Sequence, residues 1–267
     1  MAVATPTAPS PTRALLREAG ELAVFFVQAV AALRRAPRYT SEILRQTAIL
    51  VRGSTLIMAV MSFLISYSVI NFGYYVLRAV SATDYLGVVS GIITPRGTTP
   101  LMFGYIFAAK VGCGMVAEIG AMKVNEEIDA YESEGVDPMV YVVATRLVAV
   151  LLFLPIAAFA MLVAGTAGDY FAGIVVLQGL SESAFSTFHW GVQTWSDQLL
   201  ALLCIGALAV TIVTVSCFYG LRANRGPASV GTAAARSLVV SLVLIHLIHP
   251  SYLALFYGLD PKIPIGG

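Results

Sequence analysis

The sequence predicts an all-α integral membrane protein, in which one helix lies along the membrane surface and five transmembrane helices follow it. Its residues are 58% hydrophobic and only 12% charged, whereas a soluble domain has roughly 45–50% apolar and about 25% charged residues. The mean hydropathy is +0.83. Several stretches also reach the ~20 apolar residues that a helix needs to cross the hydrocarbon core. These observations exclude a water-soluble single domain.

The charge balance and the cysteines exclude further classes of protein. The 267 residues include 16 Lys and Arg against 15 Asp and Glu, a net charge of +1, so no basic surface for nucleic acid is indicated. Cys113, Cys204 and Cys217 lie in apolar or small-residue stretches, without the spacing of zinc ligands or of a disulfide framework. The sequence therefore predicts no nucleic-acid partner and no metal site.

The N-terminal part predicts a disordered lead, residues 1–12, and an interfacial helical region, residues 13–52. The lead is mainly Ala, Pro, Thr and Ser, and apolar residues then recur at helical spacing until Pro37. They are Leu15, Ala19, Leu22, Phe26, Ala29 and Leu33. Because a cluster of arginines ends the pattern, we expect the helix to lie in the inner membrane interface. The alternative is a helix that packs against the bundle.

Five apolar stretches predict the transmembrane helices. They are residues 53–77, 85–109, 140–164, 198–221 and 237–259. The second contains Pro95, Arg96 and Pro100, and the two prolines predict a break of the helix around the arginine. The third carries Arg146 near its start. An odd number of spans puts the two termini on opposite sides of the membrane.

The distribution of Lys and Arg predicts the orientation. With a cytoplasmic N-terminus, the inner side holds all of them except Arg78 and Lys262, which lie outside, and Arg96, which lies within the second span. This bias is the one that the positive-inside rule describes. The loop of residues 165–197 contains acids but no Lys or Arg. We therefore expect a multi-pass protein of the cytoplasmic (inner) membrane, with its N-terminus inside and its C-terminus outside.

The segment between the second and third spans is polar. Nearly half of the acidic residues lie within residues 117–138, and apolar residues form a narrow stripe at helical spacing. The stripe consists of Ala117, Ala121, Val124, Ile128 and Tyr131. Gly135 and Pro138 end the pattern, which predicts a helix over residues 117–134. Because the inner lipid surface is negative and repels acids, we expect this helix to dock on a protein partner; the alternative is a solvated connector.

Short stretches of this segment resemble a known family, the MlaE/YrbE permeases, which are the membrane subunits of ABC-type lipid transporters. The stretches are Ala117–Val124, Glu126–Ala130 and Gly135–Pro138. Residues 44–46 and 53–56 are similar to the family's entry into its first span, and the resemblance covers residues 40–260. The divergent N-terminus and the tyrosine-rich end of the first span look most like the YrbE subunits of actinobacterial Mce systems. The resemblance makes residues 53–267 a permease domain.

The resemblance implies that residues 117–134 are the coupling helix, which sits in a groove of an ABC ATPase subunit. The residues assigned to that contact are Glu118, Gly120, Met122, Lys123, Glu126, Glu127, Asp129 and Tyr131. The chain has no GxxxxGK[ST] motif to hold nucleotide phosphates. We therefore expect a permease without enzymatic activity or a cofactor of its own, with ATP and Mg²⁺ bound by the partner ATPase.

The resemblance implies further partners and a cargo. We expect a second YrbE-type permease chain, a paralogue in a heterodimer, and Mce-type lipid-binding proteins on the outer side. Fatty acids, mycolic-acid-like lipids, sterols or phospholipids are the implied cargo, moved by import. Two alternatives stay open. A self-contained carrier or channel requires acidic residues within the spans to bind ions, and an intramembrane lipid-modifying enzyme requires a catalytic group there.

Arg96 heads the candidate lipid pathway. The family commonly has Arg-Glu-Leu-Gly-Pro where this chain has residues 95–100, so the arginine is kept and the neighbouring glutamate is absent. An arginine in the hydrocarbon costs at least ~2.5 kcal/mol. Arg96 therefore either binds an anionic lipid head group or forms a structural pair. Tyr67, Tyr74 and Tyr75 complete the candidate pathway.

Two groups of polar residues invite other interpretations. His246 and His249 in the fifth span have a spacing that suits a metal, but polar packing between helices is the favoured interpretation. Glu182, His189 and Asp197 share the outer loop without any catalytic motif. The two tryptophans of that loop are typical of an interfacial anchor.

Overall fold

The computed structural model describes residues 11–177, 181–223 and 226–258. No strand occurs in these residues, which confirms the all-α fold. The α-helices are α1 (Pro11–Ala32), α2 (Thr40–Ala79), α3 (Leu86–Ile93), α4 (Thr99–Ile106), α5 (Cys113–Val124), α6 (Glu127–Ser133), α7 (Thr145–Tyr170), α8 (Glu182–Gly191), α9 (Trp195–Leu221) and α10 (Pro227–Phe256). Short 3₁₀ and π-helical turns join several of them.

Five helical stretches among the described residues are long and apolar enough to cross a membrane, which confirms the predicted number. They are Thr12–Ala79, Thr83–Val124, Met139–Val176, Trp195–Leu221 and Pro227–Phe256. The predicted lead differs at its end, because α1 already begins at Pro11. Residues 1–10 of that lead, Arg225, Lys262 and the end of the fifth span after residue 258 lie outside the described residues.

The break that we predicted around Arg96 is a π-helical turn instead. The turn Thr94–Thr98 joins α3 to α4, and a second one, Phe107–Gly112, joins α4 to α5. Pro95 and Pro100 lie in the first turns of their segments. Because a π turn shifts the hydrogen-bond pattern by one residue, the two prolines are accommodated without ending the helix. The second span is therefore continuous and reaches Val124.

The third span also extends beyond its predicted end. Helical structure continues past residue 164 to Val176. Asp169, which the sequence analysis placed in the outer loop, therefore lies inside α7 with 0% of its surface exposed. The helix can continue through a carboxyl group because two hydroxyl groups of the second span donate hydrogen bonds to it.

Close packing of α2 along α7 forms one half of the bundle. The hydroxyl of Ser62 donates to the carbonyl oxygen of Met161 at 2.7 Å. A Cβ atom added to Gly168 would lie 2.3 Å from the carbonyl oxygen of Phe63, and one added to Gly165 would lie 3.1 Å from two serine hydroxyls of α2. Small residues thus let the two backbones approach, as is common between membrane helices.

Helix α9 is at the centre of the second half of the bundle and is the most deeply buried of the five spans. It contacts α4, α5, α7 and α10. Aromatic side chains fill the space between these helices: the rings of Phe103 and Phe107 stack at 5.0 Å, and Phe153 of α7 lies 6.4 Å from Phe107. This core is apolar.

Helix α1 packs against the bundle. The ring of Phe25 lies 5.6 Å from that of Phe218 in an edge-to-face arrangement. The hydroxyl of Tyr219 donates to Glu18 at 2.7 Å. Leu15 and other apolar side chains on the opposite side of α1 are exposed. This contact matches the alternative that α1 packs against the bundle. Because its other side is apolar and exposed, a position in the membrane interface stays a prediction.

The bundle has two polar ends. The α6 end carries α6 and the turn between α9 and α10, and the α8 end carries α8 and the last turn of α2. The predicted orientation makes the α6 end cytoplasmic.

The close approach of α2 and α7 can be tested at Gly168. Gly168→Ala should lower the melting temperature of the purified protein by several degrees, because the added Cβ forces α7 away from the backbone of Phe63, at a cost of about 1–3 kcal/mol. Circular dichroism during heating in detergent measures it. Gly53→Ala on α2 is the matched control, since nothing lies within 4 Å of its added Cβ. Equal melting temperatures for Gly168→Ala and the parent would contradict this packing.

Candidate functional site

The polar segment at the α6 end consists of two helices, not the single helix of residues 117–134 that we predicted. The backbone turns at Asn125 and Glu126, and Glu126 adopts a left-handed conformation with φ of 61°. Helix α5 before this turn is the end of the second span, and α6 after it has seven residues. The left-handed residue interrupts the helical hydrogen bonds, and α6 therefore leaves the line of the second span.

The division also splits the predicted apolar stripe. Ala117 and Ala121 of α5 are exposed, whereas Ile128 of α6 is only 2% exposed. The buried side of α5 instead includes Ile119 and Gly120, which pack against α9 and α10. A Cβ at Gly120 would lie 3.0 Å from Val230. The stripe was wrong for α5 because the turn at residues 125–126 gives the two helices different buried faces.

Helix α6 is anchored firmly to the bundle. Ile128 belongs to the main hydrophobic core. The ring of Tyr131 lies 5.0 Å from that of Tyr141, which in turn lies 5.2 Å from Tyr39. Gly135, with φ of 78°, ends α6 in a Schellman motif, the helix end that the sequence predicted. An element held in this way can transmit a push to the spans.

Two ion pairs use three of the residues that were assigned to the ATPase contact. Arg146 of α7 is buried, and its Nη2 lies 2.7 Å from Oε1 of Glu118. Lys123 lies 2.5 Å from Asp129. We predicted Arg146 near the start of the third span and named no partner for it. The structure shows that its pair with Glu118 joins α7 to α5.

The remaining acids of α6 face outward. Glu126, Glu127, Glu132 and Glu134 are exposed, and none of them forms an ion pair with another described residue. Met122 is half-buried. The exposed side of α6 is therefore strongly acidic, with its apolar residues turned into the bundle. We call these four glutamates the acidic face.

Arg96 forms an ion pair inside the chain. It is 5% exposed, its Nη2 donates to Oδ2 of Asp197 at 3.1 Å, and its Nε lies 3.1 Å from Oδ1. Its guanidinium group also lies 4.6 Å from the ring centroid of Tyr257. The structural pair that we kept open as an alternative is therefore present, with an acid that the sequence analysis placed in the outer loop.

Asp197 also caps the start of α9, which explains its position. It lies three residues after Thr194 and accepts hydrogen bonds from the backbone N–H and the hydroxyl of Thr194, both at 2.9 Å. This is a capping box at the start of α9. The Thr-x-x-Asp pattern before an apolar run was the signal in the sequence that could have located this residue.

The tyrosines of the candidate lipid pathway lie on α2, toward the α8 end. Tyr67 packs at 6.2 Å from the ring of Phe171, and Tyr74 lies 6.1 Å from Tyr75. Tyr75 is 65% exposed. Arg96 lies against α9 and α10 instead, so the structure divides the predicted pathway into two separate groups.

An apolar cavity of about 260 Å³ lies next to the turn that holds Arg96. It opens between the second span, α7 and α9, and its wall includes Pro95, Phe159 and Leu202. Trp195 and Gln198 form its rim. This cavity was not predicted, because residues from three helices that are far apart in the chain form its wall.

The α8 end contains a buried polar network that the sequence analysis missed. Oδ2 of Asp169 accepts hydrogen bonds from Thr94 at 2.8 Å and from Ser90 at 3.2 Å. Ser90 also hydrogen-bonds to Nδ1 of His189, whose Nε2 lies 3.0 Å from the side-chain amide of Gln193. Burial lowers the pKa of His189 to about 4, so this imidazole is neutral at pH 7.

The other candidate groups are not assembled into a catalytic site. His189 binds Ser90, Asp197 binds Arg96, and Glu182 is exposed on α8. His246 forms a hydrogen bond with the hydroxyl of Tyr105 at 2.8 Å, which is the polar helix packing that we favoured. No group of three or more His, Cys, Asp or Glu that could hold a metal was found in the part of the chain that the structure describes.

Comparisons with known proteins give a family and several relatives. Residues 43–253 match the family model described as permease MlaE. A probable ABC transporter permease of Rickettsia felis is 28% identical over 227 residues, which cover 85% of this chain and 87% of that protein. A probable ABC transporter permease of Porphyra purpurea is 30% identical over 223 residues, covering 81% and 82%. One from Synechocystis is 30% identical over 169 residues, covering 62% and 63%.

The pair of Arg96 and Asp197 can be tested by removing each partner. Arg96→Met and Asp197→Asn should each destabilise the protein by about 3–5 kcal/mol, because each removes the opposite charge that the buried partner binds. The double variant should lose clearly less stability than the sum of the losses in the two single variants. Thermal unfolding in detergent measures all three.

Arg17→Met is the matched control. Arg17 forms an exposed pair with Glu21 at 2.7 Å, and such pairs contribute roughly 0–1 kcal/mol. Strictly additive losses in the double variant would contradict a direct interaction between Arg96 and Asp197.

Proposed function

Because the chain belongs to the permease MlaE family, we propose that it is the membrane-spanning permease subunit of an ATP-driven, Mce-type lipid transporter. The names of its relatives support an ABC-type assembly. The proposal that ATP drives the transporter rests on α6. This short helix is anchored in the core and presents an acidic face outward. A mere connector would not require Ile128 and Tyr131 to be packed against the spans.

The acidic face is the docking site for the ATPase subunit. That partner holds ATP and Mg²⁺, and this chain converts its movement into movement of the spans. Ile128 and Tyr131 pass the displacement to the core, and the pair between Glu118 and Arg146 passes it from α5 to α7. In this role Glu118 acts within the chain, whereas Glu126 and Glu127 contact the partner.

The lipid passes between this chain and a second YrbE-type permease chain, a paralogue in a heterodimer. Large apolar side chains on the outer surfaces of α7 and α9, such as Phe159 and Leu203, are exposed and suit either lipid or a second chain. The cavity beside Arg96 accommodates part of an acyl chain. Arg96 shapes this cavity through its pair with Asp197, and of the three tyrosines Tyr75 is the one open to lipid.

The α8 end faces the outer side and the Mce-type proteins. Trp190 and Trp195 are exposed there, as is typical of residues at the membrane–water interface. In this orientation the spans cross the inner membrane and the acidic face lies in the cytoplasm. The transport direction is import, and the cargo is a lipid with long acyl chains or a sterol.

Reversal of charge on the acidic face tests the proposal. In Glu127→Lys, the ATPase subunit recovered with the purified chain and lipid-stimulated ATP hydrolysis should both fall several-fold, because a glutamate of the docking site becomes a cation. The amount of chain in the membrane should not change, since Glu127 is exposed.

Glu182→Lys is the matched control, an exposed acid on the opposite end of the bundle. The ATPase subunit recovered with this variant and the lipid-stimulated ATP hydrolysis should both equal those of the parent. Unchanged recovery and hydrolysis in Glu127→Lys would contradict docking through α6.

A further inference from the structure

Asp169 is a buried carboxyl group that forms no ion pair with any residue that the structure describes. It is 0% exposed, and its Oδ1 has no hydrogen-bond partner among the described residues. Its Oδ2 accepts hydrogen bonds from the hydroxyls of Ser90 and Thr94. An ionised carboxylate in such a place requires a cation or loses its charge by taking up a proton.

The groups around Asp169 in the described part of the chain offer no free cation. On the second span they are Ser90 of α3 and Thr94 of the π turn, and Arg96, two residues after Thr94, pairs with Asp197. Tyr170 on α7 contacts the ring of His189 at 5.4 Å. Of the other packed helices, α8 contributes His189, which hydrogen-bonds to Ser90, while Glu182 of α8 is exposed. Tyr67 of α2 packs on the ring of Phe171. None of these groups carries a positive charge at pH 7 except Arg96, which is already paired.

A chain of hydrogen bonds connects Asp169 to the surface of the α8 end. It runs from Asp169 to Ser90, from Ser90 to Nδ1 of His189, and from Nε2 of His189 to Gln193. Gln193 lines an open depression of about 420 Å³. The other residues of its wall are Trp190, Thr194, Trp195 and Gln198.

We propose that Asp169 is a proton-binding site, filled from the α8 end of the bundle through Gln193, His189 and Ser90. This function goes beyond lipid transport through the bundle and requires neither the ATPase nor a second chain. Asp169 is then an acidic residue within a span, of the kind that a proton-coupled carrier uses, in a protein with a permease fold.

The transfer balances without a further reactant. A proton from water at the depression forms an N–H bond at Nε2 of His189, while the proton on Nδ1 passes to the oxygen of Ser90. The hydroxyl proton of Ser90 then passes to Asp169, which becomes neutral. His189 ends as the other neutral tautomer, and Gln193 turns its carbonyl oxygen toward Nε2.

The consequence is local. Asp169 lies where α3 and α7 meet, and α8 packs so tightly on α3 that a Cβ at Gly91 would lie 2.4 Å from the carbonyl oxygen of His189. Loss or gain of the proton changes the hydrogen bonds that hold these three helices together. The packing of the α8 end therefore depends on the pH of the side that it faces.

Infrared spectroscopy of the purified full chain in detergent tests the proposal. At neutral pH the parent should have the carbonyl band of a protonated carboxyl group, and Asp169→Asn should lose it. Glu182→Gln, the matched control, should retain it. Thr94→Val should shift the band without removing it, because Thr94 donates to the same carboxyl group, and this variant identifies the band even where Asp169→Asn does not fold.

Two further arms complete the test. In Ser90→Ala the exchange of the carboxyl proton for deuterium should become several-fold slower, since the chain of hydrogen bonds is cut. Replacement of choline chloride by sodium chloride should leave the band unchanged. The absence of an acid band at neutral pH would overturn the proposal, as would its loss in sodium, which indicates a Na⁺ site, or an unchanged exchange rate in Ser90→Ala.

Discussion

The bundle depends on the requirement that polar groups at membrane depth find their partners within the protein. The bilayer core offers no water, so a charge there needs an opposite charge or a hydrogen bond from a neighbouring helix. The structure meets this requirement in two long-range ion pairs. Arg96 binds Asp197 and so ties the second span to the start of α9, and Arg146 binds Glu118 and so ties α7 to the end of the second span. Both pairs help to fix the alignment of helices that otherwise pack mainly through apolar side chains.

These pairs lie at different levels of the bundle and give its two ends different properties. At the α6 end, Arg146 and Glu118 stand beside an element that is packed into the core and acidic on its outer side, which is the arrangement that a mechanical link to another subunit requires. At the α8 end, Arg96 closes a polar layer that also contains Asp169 and His189. Apolar packing separates the two layers.

The sequence predicted the class, the number of spans and the family, because long apolar stretches and a short polar signature are local patterns. It placed the ends of helices less well. Asp169 and Asp197 were assigned to a loop since hydropathy falls at each of them, yet both lie in helices whose neighbours supply hydroxyl groups or a cation. The turn at Glu126 was also missed, because a non-glycine residue in the left-handed conformation leaves no mark in the pattern. Pairings over a separation of a hundred residues depend on the packing of helices, which periodicity along the chain does not describe.

The central claim is that this chain works as the lipid-conducting part of an assembly driven by a separate ATPase. The most direct measurement is purification of the tagged chain in mild detergent, followed by mass spectrometry of the proteins and lipids that accompany it. The account predicts recovery of a P-loop ATPase in stoichiometric amount, a second permease chain and a bound lipid with an acyl chain or a sterol ring. Recovery of an intact, folded chain that moves lipid or ions across vesicles by itself, without an ATPase and without ATP, would contradict it.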